Sequence, residues 1–273
     1  MITTSLYGRL GNQMWQYAVC RTVAEKLGYE FHIPRSFSQN GLGCDLGTPN
    51  CNILRHFPHE NNHDGIQRYD ENIFSIEDNT KIDGYVQTEK YLLYNRANIL
   101  TWFNIPRNED LLQQLEIDQN TCIINFRGGD YKPMNDVFLN KKYYEDAMEE
   151  MKKINSSMRF LVVTDDTEAA SSFFPGISIH HYDPITDLML LKNAHYLIIA
   201  NSTFSWWGAW LNEIAYIIAP KYWFRYNVNN GWWSPSDALT SRFNYIGMDG
   251  ILQTSEECQS EITDWNYLDH FAK

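Results

Sequence analysis

Between Cys122 and Ile218 short apolar runs and helix-length patterns take turns, and this alternation limits the possible folds more than any other feature of the chain. Strands are predicted at residues 122–124, 160–163, 177–179, 196–199 and 216–218, with helices at 141–154, 169–174, 185–192 and from Ser205 onward. Strands that alternate with helices form a parallel sheet covered on both faces, so the predicted class is α/β. In such sheets ligands sit beyond the carboxyl ends of the strands, where the strand order reverses. Arg127, Asp165 and Ser202 each fall immediately after a predicted strand. A doubly wound sheet therefore brings their loops to one edge.

The N-terminal part opens as strand, glycine loop, helix and strand. Residues 1–7 lean towards β structure and run into Gly8-Arg9-Leu10-Gly11-Asn12-Gln13. Apolar positions then recur at helical spacing from Met14 to Leu27, Gly28 stops them, and Phe31-His32-Ile33 precedes Pro34. The loop lacks the G-x-G-x-x-G spacing of a dinucleotide site. Its glycines allow either a close backbone approach to a ligand or an ordinary tight turn. Residues 36–79 read as a variable loop region, 85–87 as a strand, 90–100 as a helix and 105–109, around Pro106, as a linker. The predicted divisions are residues 1–108, 109–250 and a C-terminal extension at 251–273.

A chain of 273 residues with 44% apolar residues has ample material for two cores. Its formal charge of −12 argues against nucleic acid or an anionic membrane as a partner, and requires any anionic ligand to be held by a local cationic cluster. No apolar run approaches membrane-spanning length and no signal-peptide pattern is present, so a cytoplasmic location is expected. The five cysteines include no C-x-x-C pair, which suits free thiols and suggests no metal site. Aromatic content is 15%, which serves either a sugar-binding surface or a generous core.

The three loops have the chemistry of a nucleotide-diphosphate pocket. Arg127 can fork onto phosphate oxygens, and Gly128 and Gly129 let the backbone come close. Ser202 and Thr203 stand where a helix begins, with donors and partial positive charge for the same diphosphate. Asp165 or Asp166 can accept from a base or ribose. The alternatives are an Arg127–Asp130 ion pair, an Asp165 that caps the next helix, and ordinary capping by Ser202 or Thr203, with the tryptophans after them in a core. No D-x-D occurs, so charge leaving with the nucleotide would be met by fixed electrostatics without a metal or other cofactor.

Three stretches carry a resemblance to the α-1,2-fucosyltransferase family. Gly8-Arg9-Leu10-Gly11-Asn12-Gln13-Met14-Trp15-Gln16-Tyr17-Ala18 resembles its opening motif. Asn125-Phe126-Arg127-Gly128-Gly129-Asp130-Tyr131 is similar to its H-x-R-R-G-D-Y motif. Asn201 through Leu211 matches its N-S-T-F-S-W-W-G-A-W-L signature, and Thr164-Asp165-Asp166 resembles its S/T-D-D element. The resemblance implies a GT-B fold, two Rossmann-like domains facing across a cleft, with an acceptor-side N-terminal domain and a donor-binding second domain. It implies inverting, metal-independent transfer of L-fucose from GDP-fucose to a glycan acceptor, α-1,2 to galactose. Arg127, Asn12 and Asp130 would be catalytic. Arg9, Asn125, Arg127, Asp165, Asp166, Ser202, Thr203 and Phe204 would bind the donor, with Asp165 facing guanine. Related α-1,6- and protein O-fucosyltransferases share versions of these motifs, so another GDP-sugar, a protein acceptor or a silent carbohydrate-binding protein are the competing readings. Two positions depart from the family: Asn125 replaces the motif's His, and Gly128 replaces its second Arg.

Overall fold

Two parallel sheets organise the chain, one in each of two units. The structure is a computed structural model and describes residues 1–49, 52–58, 69–228 and 236–263. Contacts divide the chain into Met1–Asn104 with Ser234–Thr240, and Ile105–Trp233 with Ser241–Lys273. Both units are α/β, the class the alternation predicts.

The first unit contains β1 (Ile2–Thr4), α1 (Leu10–Leu27), β2 (Phe31–His32), β3 (Arg55–Pro58), β4 (Thr80–Asp83) and α2 (Arg96–Trp102). Its strands lie in the order β2-β1-β4-β3, all parallel. Helix α1 buries most of its surface and ends at Gly28, whose φ of 70° puts it in the left-handed conformation that closes a helix. Asp237, from the returning segment, accepts from the Tyr69 amide at 2.9 Å, and its carbonyl accepts from the Thr88 hydroxyl at 2.6 Å.

Three expectations for this unit need correction. The region read as loop at 36–79 contains β3, a mostly exposed edge strand that pairs only with β4 and ends in proline. Residues 59–68 of that region lie outside the described residues. The strand expected at 85–87 is absent; it lies earlier, at β4, and buried Val86 has a φ of 49°, which turns the chain instead of extending it. The helix expected at 90–100 is two 3₁₀ turns, Glu89–Tyr91 and Leu93–Asn95, followed by α2. Buried Asn95 interrupts it, because its amide is drawn to Glu25 Oε2 at 2.7 Å.

The second unit contains α3 (Glu109–Gln114), β5 (Thr121–Phe126), α4 (Lys141–Ile154), β6 (Arg159–Thr164), α5 (Thr167–Phe173), β7 (Ser178–His180), α6 (Pro184–Lys192), β8 (Tyr196–Ile198), α7 (Thr203–Leu211), β9 (Tyr216–Pro220), β10 (Asn244–Ile246), β11 (Leu252–Thr254) and α8 (Ser255–Thr263). The sheet order is β11-β10-β9-β8-β5-β6-β7, parallel except for β11. The chain builds outward from β5 through β6 to β7, then crosses to the other side of β5 and continues through β8, β9 and β10. The order therefore reverses between β5 and β8.

Alternation along β5 assigns its side chains. Cys122, Ile124 and Phe126 join the core formed with Tyr143, Tyr144 and Met151 of α4 and with Ala170 of α5. Ile123 and Asn125 point to the opposite face, where α6 and α7 pack so closely that a Cβ on Gly208 would lie 2.5 Å from Leu191 Cβ. Trp206, Trp207 and Trp210 are at most 5% exposed, and the Trp206 and Trp210 rings stack 5.4 Å apart. These tryptophans build the core and offer no sugar platform. Among the described residues no helix is long and apolar enough to cross a membrane, and Cys20, Cys44, Cys122 and Cys258 are free thiols. Cys51 lies outside the described residues.

Candidate active site

The sheet order reverses between β5 and β8, and the two strands part company at their carboxyl ends. Pairing of β5 with β6 runs on to Phe126 and Thr164, whereas pairing with β8 ends at Ile124 and Ile198. The loops after β5, β6 and β8 carry the polar residues of the second unit that the sequence singles out.

Arg127 leaves β5 with its side chain only 15% exposed, and two carboxylates hold its guanidinium. Nη2 donates to Asp130 Oδ1 at 2.5 Å and Nη1 pairs with Asp165 Oδ2. Nε is buried without a hydrogen-bond partner. The Tyr131 ring lies under the guanidinium, 5.0 Å from Cζ to the centroid. Asp165 Oδ1 also accepts the Gly128 amide at 2.9 Å, and Asp166 Oδ2 accepts the Gly129 amide at 3.2 Å. The loop lies so tightly on β6's end that a Cβ on Gly128 would fall 2.5 Å from Asp166 Cβ. The Arg127–Asp130 ion pair considered as an alternative is thus present, and it coexists with a guanidinium aimed by Asp165. The cap of α5 is Asp166, which accepts from the Ala169 amide at 3.0 Å.

The loop after β8 ends at Ser202, the N-cap residue of α7. Helices α3, α4, α5 and α6 are each capped by an Asn or Asp side chain, Asn108, Asn140, Asp166 and Asp183. The buried Ser202 side chain makes no such bond. Ordinary capping therefore does not account for this serine, and the start of α7 keeps its partial positive charge uncompensated by a side-chain cap. Thr203 and Phe204, the first two helical residues, are half-exposed. Asn201, just before, is held by bonds from Nδ2 to the carbonyls of Val137 at 2.7 Å and Trp223 at 3.3 Å, and its Oδ1 is buried with no partner.

Asn125 differs from the other candidates. It is 6% exposed, Nδ2 donates to the Val163 carbonyl at 3.1 Å, and Oδ1 accepts from the Ser205 hydroxyl. Its amide ties β5 to β6 and α7 from inside the unit.

In the first unit Gly8 and Arg9 form the turn into α1, whose first two turns carry Asn12, Gln13 and Gln16. Exposed Arg9 is its N-cap residue. Asn12 Oδ1 accepts from Gln87 Nε2 at 2.9 Å, Gln13 donates to the Gly8 carbonyl at 3.0 Å, and buried Gln16 accepts the Tyr7 amide at 2.9 Å. Gly8 has a φ of 70°, and any Cβ there would lie 2.2 Å from Asn12 Nδ2.

Two residues of the second unit escape sequence reasoning. Lys132 pairs with Asp166 at 2.6 Å, and that bond is the main reason the Asp166 carboxyl titrates below the usual range. Asp187, in α6, is buried; burial pushes its pKa up to about 7, and the charges of Asp183 and Asp165 act in the same direction. Its Oδ1 accepts the Tyr182 amide at 3.1 Å. An acid inside the apolar run Pro184-Ile185-Thr186-Asp187-Leu188-Met189 was the available signal.

The model of glycosyl transferase family 11 matches residues 58–229, well over half of the chain. The chain belongs to glycosyl transferase family 11. It is 30% identical over 168 residues to an alpha-1,2-colitosyltransferase of Escherichia coli, a match covering 55% of this chain and 58% of that one. It is 33% identical over 168 residues to the O-antigen biosynthesis glycosyltransferase WbnK of Escherichia coli, covering 52% and 55%. A galactoside alpha-(1,2)-fucosyltransferase 2 of Hylobates lar is 25% identical over 238 residues, covering 77% and 69%. The chain thus spans little more than half the length of the two bacterial relatives. The two positions that depart from the resembled motif have a local reason: Asn125 is committed to internal bonds, and Gly128 leaves no room for a side chain against Asp166.

Proposed function

We propose that this family 11 chain transfers L-fucose from GDP-fucose to a glycan hydroxyl, α-1,2 to a galactoside, with inversion and without a metal. The observation that carries the proposal is the guanidinium of Arg127, held by Asp130 and Asp165 past the end of β5, with the start of α7, which no side chain caps, following the neighbouring strand β8. A diphosphate laid across that edge meets Arg127, the Ser202 and Thr203 hydroxyls and the first amides of α7. It takes the place of the Asp130 carboxylate at Nη2, while Asp165 keeps the guanidinium aimed.

The sugar's C1–O bond breaks with its electron pair passing to the β-phosphate oxygen, whose charge Arg127 and the helix start stabilise. The acceptor oxygen bonds to C1 from the opposite face, and its proton passes to the Asp130 carboxylate released from Arg127. Asp166 and Lys132 hold the glycine loop, and Phe204 walls the helix start.

One observation favours a second reading: the similarity to a colitosyltransferase supports a donor with a different deoxysugar. The test is transfer from GDP-fucose to a panel of galactosides with EDTA present, with the product linkage read by NMR. The proposal expects an α-1,2 product at an undiminished rate in EDTA. Turnover only with GDP-colitose favours the second reading, and turnover lost to EDTA or absent with every GDP-sugar contradicts the proposal.

A further inference from the structure

We infer that Asn125 and Ser205 form a buried positioning pair that sets the spacing of the diphosphate site. The inference rests on the donor reading above and departs from the family resemblance, which puts position 125 in contact with the nucleotide.

The backbone ladder between β5 and β8 stops at Ile124 and Ile198. Past that point the two chains must part to admit a ligand, yet the guanidinium on one and the helix start on the other must stay at a fixed separation. The Ser205 hydroxyl donates to Asn125 Oδ1 there, one residue beyond the last backbone pair. Asn125 Nδ2 donates to the Val163 carbonyl, its register partner on β6. Asn125 lies two residues before Arg127, Val163 two before Asp165, and Ser205 three after Ser202, one turn into α7. A single amide thus joins the roots of all three loops. Ser205 is fully buried and Asn125 nearly so, and water does not substitute for their bond without opening the core. An amide suits the task because it donates and accepts at once, which neither a carboxylate nor an apolar side chain does.

A contact residue and a positioning pair behave differently in a double-mutant cycle. GDP affinity is measured by calorimetry for the wild type, Asn125→Ala, Ser205→Ala and the double variant, with donor and acceptor KM from initial rates. Each single variant is expected to weaken GDP about tenfold and raise donor KM, leaving acceptor KM unchanged. The double variant is expected to be no weaker than the poorer single one, and Ser205→Thr, which keeps the hydroxyl, to retain wild-type affinity. Should an alanine variant fail to fold, Asn125→Asp and Ser205→Cys carry the same cycle. Additive losses, or a Ser205 variant that binds GDP like the wild type, overturn the pair and return Asn125 to a direct contact. A wild-type protein that ignores GDP overturns the donor reading itself, and the pair with it.

Discussion

Asp165 holds Arg127 and its loop together: one carboxylate oxygen pairs with Nη1 while the other accepts the neighbouring Gly128 amide at 2.9 Å. Both ends of the Arg127 residue, head group and following backbone, are thereby referenced to the end of β6. Asp165→Asn keeps an oxygen for Gly128 and removes the charge that aims the guanidinium. We expect kcat/KM for the donor to fall at least tenfold while the thermal midpoint moves little, as read by initial rates and thermal denaturation.

The start of α7 allows stability and binding to be driven in opposite directions. Aspartate in the first turn of a helix stabilises it by about 0.3–1 kcal/mol. Thr203→Asp is therefore expected to raise the unfolding temperature slightly, and to weaken GDP at least tenfold by placing an anion where the proposed diphosphate would lie. Ser202→Ala, which removes no capping bond, costs the helix no cap and is expected to weaken GDP severalfold. Calorimetry and thermal denaturation of the two variants check both signs.

Gly128 accepts no side chain. The overlap with Asp166 begins at Cβ, so Gly128→Ala is expected to destabilise the unit by about 1–3 kcal/mol and to lower kcat/KM. Gly128→Arg, which supplies the second Arg of the motif this loop resembles, is expected to recover no activity above wild type. Steady-state kinetics on both variants test this.

How much of this was legible in the sequence follows from how each segment is buried. Strands β5, β6, β8 and β9 lie in the middle of a parallel sheet, and burial on both faces writes them as apolar runs. The loops that follow were readable because position after a strand, together with residue type, places Arg127, Asp165 and Ser202 on one edge. Strand β3 was not legible: Arg55-His56-Phe57-Pro58 is exposed at an edge and lacks the apolar signal. Nor was the task of Asn125, since its bonds go to Val163 and Ser205, 38 and 80 residues away. Pairings of that range depend on the register of the sheet, which residue type alone does not specify.

Asp187 gives the fold a pH dependence of known sign. The folded carboxyl keeps its proton up to about pH 7, whereas an unfolded one releases it near 3.9. Between those values the folded state binds more protons, so this group's contribution to stability is full below the lower value and lost as pH rises through the upper one. Asp187→Asn keeps an acceptor for the Tyr182 amide and does not ionise. It is expected to match the wild type near pH 4 and exceed it at pH 8, by on the order of 4 kcal/mol. Denaturant titrations at the two pH values read the difference.

The central claim is that Arg127 grips the phosphate remote from the nucleoside. Calorimetry of GDP against GMP, for wild type and for Arg127→Ala, measures this directly. The account predicts that the wild type prefers GDP at least tenfold and that the variant, still folded, loses most of that preference. A variant that retains the wild-type preference for GDP would contradict it.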